Sequence, residues 1–418
     1  MRKLIALSWI QLTLLAACGG GGGYVSGGGP PPPSQNIATP GPPNVETITV
    51  DSGPTGGSAV NTAYLSIKVC VPSTTTCQTI DHIEVDTGST GLRILYGALN
   101  SSLNGALPQE GNGVANTVLT ECLQFADGSS YGSLRMADIT LPVSMKTVSN
   151  LVVQVIGDPA YAVPNGSVTG QSACPGTPEN TVAQFGANGI LGVGPFAQDC
   201  GPVCATTAVH GTYYSCTSTT TCADSTATVL QQVQNPATLF TSDNNGVIVE
   251  LRPVGSAGAG TVTGSLVFGI GTQSNNGLGS ATVLPEDANT GLISATYKGI
   301  AYSHGFIDSG SNGNFFTDSS ISTCPMPNTG FYCPTSIMME TATLQGTNTT
   351  TSAANFSVAN ANTLFANLSY TAFSNLGGAN PDPMGFDLGL PFFYGQNVYT
   401  AFETATNAGG HPGPYFAY

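Results

Sequence analysis

The chain has 418 residues, of which 40% are hydrophobic and 8% aromatic, enough for a large core or several domains. Only 7% are charged, against about a quarter in ordinary globular proteins. Long amphipathic helices usually carry charged side chains on their solvent faces, so this composition argues against a helical bundle. Acidic residues outnumber basic ones by 23 to 8, which excludes nucleic acid and anionic membrane surfaces as charge-driven partners.

The scarcity of basic residues also limits the number of ion pairs. Acid denaturation acts largely by protonating carboxylates that are paired in the native state. We therefore expect the fold to depend on apolar burial and disulfides, and to tolerate low pH.

The N-terminus has the pattern of an export signal followed by a lipid attachment site. Arg2 and Lys3 give a positive start, and the apolar stretch after them is too short to span a bilayer. Residues 15–18 read Leu-Ala-Ala-Cys and resemble the lipobox of bacterial lipoproteins, which implies lipidation of Cys18. We predict a signal peptide over residues 1–17, with an ordinary cleaved signal as the alternative.

Residues 18–45 are rich in Gly and Pro, a composition typical of a disordered tether with a stiffer polyproline part. We expect the lipid to be the only contact with the membrane. Because Gly19 is not acidic, the lipoprotein resemblance implies the outer membrane of the cell envelope as the location.

Of the 11 cysteines, ten remain once Cys18 is set aside, an even number that favours up to five disulfides in an exported chain. They are Cys70, Cys77, Cys122, Cys174, Cys200, Cys204, Cys216, Cys222, Cys324 and Cys333. The short spacings suggest the pairs 70–77 and 324–333. The four cysteines within residues 200–222 are predicted to staple a surface insertion, with a zinc site as the alternative.

Short apolar stretches rich in β-branched residues recur between clusters of Gly, Asn, Asp, Pro and Ser, as expected of β-strands. The clearest cover residues 64–71, 80–85, 134–141, 151–156, 246–251 and 265–270. Residues 228–233 and 363–366 are the candidate helices, and both are short. The fold class is therefore predicted to be all-β.

One motif occurs twice. Residues 83–89 read Ile-Glu-Val-Asp-Thr-Gly-Ser, and residues 306–311 read Phe-Ile-Asp-Ser-Gly-Ser. Each copy is followed later by a hydrophobic segment that contains glycine, at residues 189–194 and 386–390. Two copies about half a chain apart imply two similar halves.

The duplicated motif supplies one aspartate to each half, Asp86 and Asp308. Two carboxyl groups a few Å apart cannot both ionise, so they share a proton over a wide pH range. The ionised member can then take a proton from water while the protonated member polarises a carbonyl group. Residues that would support this pair through tight turns and hydroxyl hydrogen bonds are Thr87, Gly88, Ser89, Ser309, Gly310 and Ser311.

These motifs, with four further segments in the same order, resemble the pepsin-like aspartic peptidases over roughly residues 60–405. The further segments lie at residues 125–130, 188–194, 263–269 and 386–402. The resemblance implies a two-lobed fold with the catalytic dyad, Asp86 and Asp308, in the cleft between the lobes. It also implies a flap hairpin that contains Phe125, Asp127, Gly128 and Ser129.

The resemblance implies an N-terminal lobe over residues 46–272 and a C-terminal lobe over residues 273–418. The substrate would be an extended peptide or protein, and no metal or cofactor is expected. We expect a monomer that hydrolyses peptide bonds as an exported endopeptidase at acidic pH. The alternative is an inactive binding module of the cell envelope with the same fold.

Four positions depart from the family pattern. Phe125 stands in place of the flap tyrosine, while Gly91 and Arg93 stand in place of an asparagine and a tryptophan. Asp387 lies where an apolar residue is expected, and a buried carboxyl there needs a partner or a proton. These changes would alter the flap and the subsites and leave the dyad intact.

Two other patterns give weaker predictions. Residues 128–132 match Gly-x-Ser-x-Gly, and in a serine hydrolase Ser130 would be the nucleophile. That chemistry needs a strand, a sharp turn and a helix, whereas the next stretch is predicted to be a strand. The four histidines, at positions 82, 210, 304 and 411, show no metal-ligand spacing.

Overall fold

The computed structural model describes residues 35, 37–126, 128–164 and 174–418. The predicted signal peptide, Cys18, most of the predicted tether and the flap residue Asp127 lie outside these ranges. Within them, no helix is long and apolar enough to cross a membrane.

Within the described ranges, the chain forms 22 strands and four short α-helices. The strands are β1 (Val45–Val50), β2 (Ala63–Cys70), β3 (Cys77–Asp86), β4 (Thr90–Leu95), β5 (Val118–Gln124), β6 (Ser129–Thr140), β7 (Thr147–Ile156), β8 (Gly189–Val193), β9 (Tyr213–Cys216), β10 (Cys222–Asp224), β11 (Gly246–Leu251), β12 (Val262–Phe268), β13 (Val283–Pro285), β14 (Ile293–Tyr297), β15 (Ile300–Ile307), β16 (Asn314–Phe316), β17 (Met338–Gln345), β18 (Thr351–Val358), β19 (Gly377–Gly378), β20 (Gly385–Leu388), β21 (Asn397–Ala401) and β22 (Tyr415–Ala417). The helices are α1 (Ser101–Asn104), α2 (Val182–Phe185), α3 (Pro202–Thr206) and α4 (Ala361–Phe365), with 3-10 turns at Tyr96–Ala98, Pro236–Leu239 and Leu390–Phe393.

The predicted strands are confirmed, since all six coincide with β2, β3, β6, β7, β11 and β12. Helix α4 covers most of the helix predicted over residues 363–366. The helix predicted over residues 228–233 is wrong, because this segment is one isolated turn in which Gln231 N–H donates to the Thr228 carbonyl. The next helical turn begins instead at Pro236, the first residue of the 3-10 turn Pro236–Leu239.

The strands form two sheets, which confirms the all-β prediction. The larger sheet has 15 strands in the order β10-β9-β5-β6-β7-β4-β8-β3-β2-β1-β12-β11-β21-β22-β13. An additional pairing between β2 and β6 closes β2, β3, β8, β4, β7 and β6 into a ring, so the N-terminal half contains a closed barrel. The second sheet has seven strands in the order β18-β17-β14-β15-β20-β16-β19.

The predicted lobe boundary at residue 272 does not separate the two sheets. Strands β13, β21 and β22 come from the C-terminal part of the chain, yet they extend the larger sheet through the pairing of β21 with β11. The seven-stranded sheet is built entirely from residues 293–388. The two lobes are therefore joined by a sheet to which both ends of the chain contribute.

The chain contacts the folded body before residue 45, where the predicted tether ends. The N–H of Ala38 donates to Glu250 Oε2 at 2.6 Å, and the Ser265 hydroxyl donates to the Ala38 carbonyl at 2.7 Å. Residues 37–44 thus pack against β11 and β12 although they were predicted to belong to the tether.

Five disulfides link the ten cysteines. They are Cys70–Cys77, Cys122–Cys174, Cys200–Cys204, Cys216–Cys222 and Cys324–Cys333. The two pairs suggested by short spacing are confirmed, and the four cysteines within residues 200–222 form disulfides, so the zinc alternative is wrong. In the described part of the chain, no group of three or more His, Cys, Asp or Glu side chains could hold a metal ion.

The apolar core runs through both lobes and lies directly behind the duplicated motif. Ile83 and Val85 precede the first aspartate, Ile307 and Leu388 lie beside the second, and all four belong to one buried cluster. The two aspartates therefore project from strands whose other side chains are fixed by packing.

Burial and hydrogen bonding shift the pKa values of several acids in the folded protein. Burial raises the pKa of Glu250 to about 7, and it raises the pKa of Glu286 well above its ordinary value. Asp318 is shifted in the opposite direction. Burial raises its pKa, but hydrogen bonds from Lys298 and Ser320 outweigh this effect and lower the pKa to about 2. An acid whose pKa is raised in the folded state stabilises the fold at low pH. An acid whose pKa is lowered stabilises the fold above its unfolded pKa of about 4.

The melting temperature is expected to be highest near pH 4. It should fall as the pH rises from about 4 to 8, because the unfolded chain releases protons from the acids with raised pKa values at a lower pH than the folded protein does. It should also fall between about pH 4 and 2, because there the unfolded chain takes up a proton at Asp318 more readily than the folded protein does. Glu250→Gln is expected to flatten the decline between pH 5 and 7, as measured by thermal unfolding across pH.

Asp81→Asn, which replaces a carboxylate exposed at the surface, is the control for that measurement. A Glu250→Gln protein with the same decline as the wild type would show that Glu250 does not hold its proton in the folded state.

Candidate active site

The two aspartates occupy equivalent places in the two lobes. Asp86 ends β3, and Asp308 directly follows β15. Each strand lies parallel to a bracing strand, with Gly192 of β8 opposite Asp86 and Leu388 of β20 opposite Ile307. The segments that the sequence predicted to brace the two motifs therefore lie beside them.

The glycines of the bracing segments allow these segments to lie close to the loops that carry the aspartates. A Cβ atom at Gly192 would lie 2.6 Å from the Thr90 nitrogen, and one at Gly389 would lie 3.0 Å from the Gly313 carbonyl carbon. Any larger residue would push the bracing segment away from the loop that carries the aspartate.

The glycine of each motif lies against the aspartate of the other lobe. A Cβ atom at Gly88 would lie 2.6 Å from Asp308 Oδ1, and a Cβ atom at Gly310 would lie 2.7 Å from Asp86 Cγ. Only glycine leaves room for the opposite carboxyl group at these two positions. The structure thus brings Asp86 and Asp308 face to face.

Each carboxyl group is also held by its own loop. The N–H of Gly88 donates to Asp86 Oδ1 at 2.8 Å, and the N–H of Gly310 donates to Asp308 Oδ1 at 2.7 Å. The two loops repeat the same local hydrogen bond, as the duplicated sequence predicted.

Hydroxyl groups cross-link the two loops. Ser309 N–H donates to Thr87 Oγ1 at 2.9 Å, and Thr87 N–H donates to Ser309 Oγ at 3.1 Å. Each hydroxyl also donates to the backbone across the junction, Ser309 to the Val85 carbonyl at 2.9 Å and Thr87 to the Ile307 carbonyl at 3.5 Å. All of these groups are buried, so water cannot replace a lost partner.

The environment of the pair favours a retained proton. Asp86 and Asp308 are both fully buried. Burial raises the pKa of Asp308 well above its ordinary value, and the nearby charges of Asp86 and Asp387 and a side-chain hydrogen bond with Asp86 add to the effect. The two carboxyl groups are thus within hydrogen-bonding reach, and one of them can stay protonated over a wide pH range.

The last serines of the two motifs differ. The Ser311 hydroxyl lies 3.2 Å from Asp308 Oδ2 and 2.6 Å from Asp387 Oδ2. The Ser89 hydroxyl is buried and has no hydrogen-bond partner among the described residues. Of the six predicted supporting residues, Gly88, Gly310 and Ser311 contact a carboxyl group of the pair. Thr87 and Ser309 hold the two loops together, and the Ser89 hydroxyl does neither among the described residues.

The predicted flap is the hairpin formed by β5 and β6. Phe125 N–H donates to the Gly128 carbonyl at 2.8 Å, and the Phe125 ring packs edge-on against Phe185 at 6.2 Å between centroids. Ser129 lies in β6, where its N–H donates to the Thr177 carbonyl at 2.9 Å. The fourth predicted flap residue, at position 127, lies outside the described residues.

The serine-hydrolase alternative is wrong. Ser130 lies within strand β6, not at a strand-to-helix turn. It is fully buried, and its hydroxyl donates to Gln154 Oε1 at 2.9 Å. This serine is a core hydrogen-bond donor.

The cysteine-rich insertion extends the flap sheet, which the sequence did not indicate. Strand β9 pairs with β5, and β10 pairs with β9. The Cys122–Cys174 disulfide links β5 to the segment that runs beside the flap tip. The flap strand β5 therefore has a hydrogen-bonded neighbour on each side and a covalent attachment.

Arg93 forms a buried ion-pair network. Its guanidinium is fully buried and donates to Glu121 Oε1 at 2.6 Å and to Asp199 Oδ2 at 3.0 Å. Tyr213 donates to the other oxygen of Asp199 at 2.5 Å. The network joins β4 to the flap strand and to the insertion. The sequence indicated this network only by a single arginine inside an apolar stretch.

The histidines lie away from the aspartates. His82 is 3.4 Å from Asp51, and His304 is 2.7 Å from Asp382. Each is four residues before its aspartate, which corresponds to about 13 Å along a strand. Neither can exchange a proton directly with the carboxyl pair.

Thr87→Val is expected to lower the free energy of unfolding by about 1–3 kcal/mol, because it leaves the buried Ser309 N–H without its partner. Thr87→Ser keeps the hydroxyl and should lose only about 0.8 kcal/mol for one buried methyl group. Urea unfolding of both variants measures the difference. Equal losses would show that the hydroxyl cross-link does not stabilise the junction.

The chain is similar to known proteins in one family model and among solved structures. No curated protein matches the chain in sequence. Among solved structures, the aspartic proteinase from Irpex lacteus is similar with a TM-score of 0.48 and 16% identity, over 89% of this chain and 96% of that chain. The family model described as "Protein of unknown function (DUF3443)" matches residues 40–418. The chain therefore belongs to the DUF3443 family.

Proposed function

We propose that this protein is an aspartic endopeptidase of the pepsin-like kind, with Asp86 and Asp308 as the catalytic dyad. The observation that carries the proposal is the contact of each motif glycine with the opposite carboxyl group. Two acids from different lobes are buried face to face, and their loops are cross-linked by Thr87 and Ser309. A pair of this kind costs stability, so its presence favours a chemical role.

The reaction needs one carboxylate and one carboxylic acid. The carboxylate of the dyad takes a proton from a water molecule, which then attacks the carbonyl carbon of the peptide bond. The protonated partner donates a hydrogen bond to the carbonyl oxygen and later a proton to the leaving amine. The two acids titrate as a unit, so neither residue is the base in every microstate.

One cavity near the second motif suits an uncharged side chain of a bound peptide. A cavity of about 250 Å³ lies beside the second loop, with Asn312 in its wall. Its lining contains Phe331, Phe365 and Tyr370 and no charged residue. A pocket of mixed apolar and amide character is the usual environment for an apolar side chain of a ligand.

Asp86→Asn and Asp308→Asn are each expected to abolish acid-range cleavage of a diverse peptide library by the full-length protein. The loss should be roughly 10²–10⁴-fold, because the amide can neither accept the proton of water nor share one with its partner. Asp382→Asn, which changes an aspartate bonded to a surface histidine, is the control and should keep the wild-type rate.

Folded wild-type protein that cleaves no peptide between pH 2 and 7 would contradict the proposal. In that case the fold serves as a binding module of the envelope, and the cavity beside the second loop is the place to look for its ligand.

We also propose that the protein is exported and anchored by a lipid on Cys18. The supporting observation is the Leu-Ala-Ala-Cys sequence at residues 15–18, followed by the Gly- and Pro-rich stretch. The first described contact with the body is that of residue 35, whose amide donates to the Gln396 carbonyl. The stretch between Cys18 and this contact is long enough to separate the body from a membrane.

Cys18→Ala is expected to move the protein from the membrane fraction to the soluble fraction, because the thioether that carries the lipid can no longer form. Gly19→Ala keeps the cysteine and should leave the protein with the membranes. Detergent partitioning of both variants tests the anchor, and a Cys18→Ala protein that remains membrane-bound would contradict it.

A further inference from the structure

The two halves of the site differ at one buried position. In the first lobe, β8 places Ile190 opposite Glu84, two residues before the first aspartate. In the second lobe, β20 places Asp387 opposite Phe306, two residues before the second aspartate. Ile190 and Asp387 thus occupy equivalent places, and only the second lobe has a carboxyl group there. Its exposed fraction is 3%.

The second difference is in the serine that ends each motif. Among the described residues, Ser89 has no partner for its hydroxyl, whereas Ser311 lies between two carboxyl groups. The distance from Ser311 Oγ is 2.6 Å to Asp387 Oδ2 and 3.2 Å to Asp308 Oδ2. The other oxygen of Asp387 is buried and has no hydrogen-bond partner in the part of the chain that the structure describes. Asp387 is therefore connected to the dyad through Ser311.

We propose that Asp387 is a positioning residue of the dyad, and that its protonation state decides whether Ser311 donates its hydroxyl proton to Asp308. This inference rests on the proposed peptidase function and adds a third carboxyl group to its site.

A serine hydroxyl has one proton to donate and lone pairs that accept. When Asp387 is protonated, its O–H donates to Ser311 Oγ, and Ser311 donates to Asp308. This chain of hydrogen bonds stabilises the negative charge of the dyad on Asp308. When Asp387 is ionised, it accepts the proton of Ser311 in a charge-assisted bond. Ser311 then presents only lone pairs to Asp308, and a further negative charge lies beside the dyad.

The surroundings keep Asp387 protonated in the acid range. The titratable groups that face it are Asp308, from the loop after β15, and Asp86, from the first lobe. The strands on either side of β20 place Phe306 and Phe315 opposite it. Burial, together with the charge of Asp86, raises the pKa of Asp387 to about 8 even though the Ser311 hydrogen bond lowers it.

Two further titratable groups lie on the neighbouring strand β15. The first is Tyr302, which donates its hydroxyl to the Thr317 carbonyl at 2.7 Å. The second is His304, whose imidazole is bonded to Asp382 at 2.7 Å and is not directed to Asp387. The hydrogen-bonded series Asp387–Ser311–Asp308 therefore has no basic partner among the described residues that contact it.

The test is the pH profile of peptide cleavage by full-length Asp387→Asn protein. The asparagine amide donates to Ser311 at every pH, as the neutral acid does, but it cannot ionise. In the wild type, the proposal attributes the fall of kcat at high pH to ionisation of Asp387, which ends the hydrogen bond from Ser311 to Asp308. Because Asp387→Asn cannot ionise, the alkaline limit of kcat is expected to move upward by about one pH unit, and the acid limit should stay where it is. Glu250→Gln, the same change at a buried acid bonded to Ala38 and Asn397, should leave both limits in place.

Ser311→Ala provides the second arm. It removes the connection and is expected to lower kcat about tenfold with little change in KM, because the interaction acts on the reacting carboxyl group. In the Ser311→Ala background, Asp387→Asn should no longer move the alkaline limit. An alkaline limit that is unchanged in Asp387→Asn, or that moves equally with and without Ser311, would overturn the proposal.

A second readout does not depend on cleavage. The wild type should lose thermal stability between about pH 4 and 8 in part because Asp387 keeps its proton in the folded state, so Asp387→Asn should reduce that loss. The wild type could cleave no peptide while Asp387→Asn still flattens the pH dependence of thermal stability. That result would contradict the proposed peptidase function and support a neutral Asp387 in the folded state. If Asp387→Asn leaves the profile unchanged, Asp387 is not held as a neutral acid and the inference fails.

Discussion

The rest of the site depends on the junction where two glycine loops meet. Gly88 and Gly310 carry no side chain, so each lets the carboxyl group of the other lobe approach its backbone. Thr87 and Ser309 then close the junction with two buried hydrogen bonds between hydroxyl and backbone N–H groups. Carboxyl burial, proton sharing and the direction of both aspartates all follow from this contact between lobes.

The junction also explains why so large a sheet holds the two halves together. Two buried acids facing each other are unfavourable unless their positions are imposed by the surrounding structure. Strands β21, β22 and β13 return from the C-terminal part of the chain and complete the sheet that begins in the N-terminal barrel. The apolar cluster behind both aspartates is continuous. The energy that holds the acids together therefore comes from packing and strand pairing, which suits a chain with so few charges.

The fold class, the two lobes and the aspartate pair could be predicted because each has a local signature: alternating apolar stretches, and a duplicated strand-Asp-x-Gly motif. The network around Arg93 could not, because its partners Glu121 and Asp199 are far away in sequence and only the folded sheet brings them together. The Cys122–Cys174 bond was missed for the same reason, since its separation of 52 residues gives no spacing signal. The turn at residues 228–233 was mistaken for a helix because a short apolar stretch does not show where it packs.

The two halves of the site differ in the contacts that fix their strands and loops. In the first lobe, the flap strand is paired on both sides and tied to β4 through Arg93, whose removal would leave two acids buried without a counter-charge. In the second lobe, the corresponding feature is a third acid linked to the dyad through Ser311. A duplicated motif alone would give two equivalent aspartates. In the proposed mechanism one carboxyl group acts as the acid and the other as the base, and an uneven environment favours one of these two microstates over the other. Ile190 in one lobe and Asp387 in the other supply such a difference within the same backbone framework.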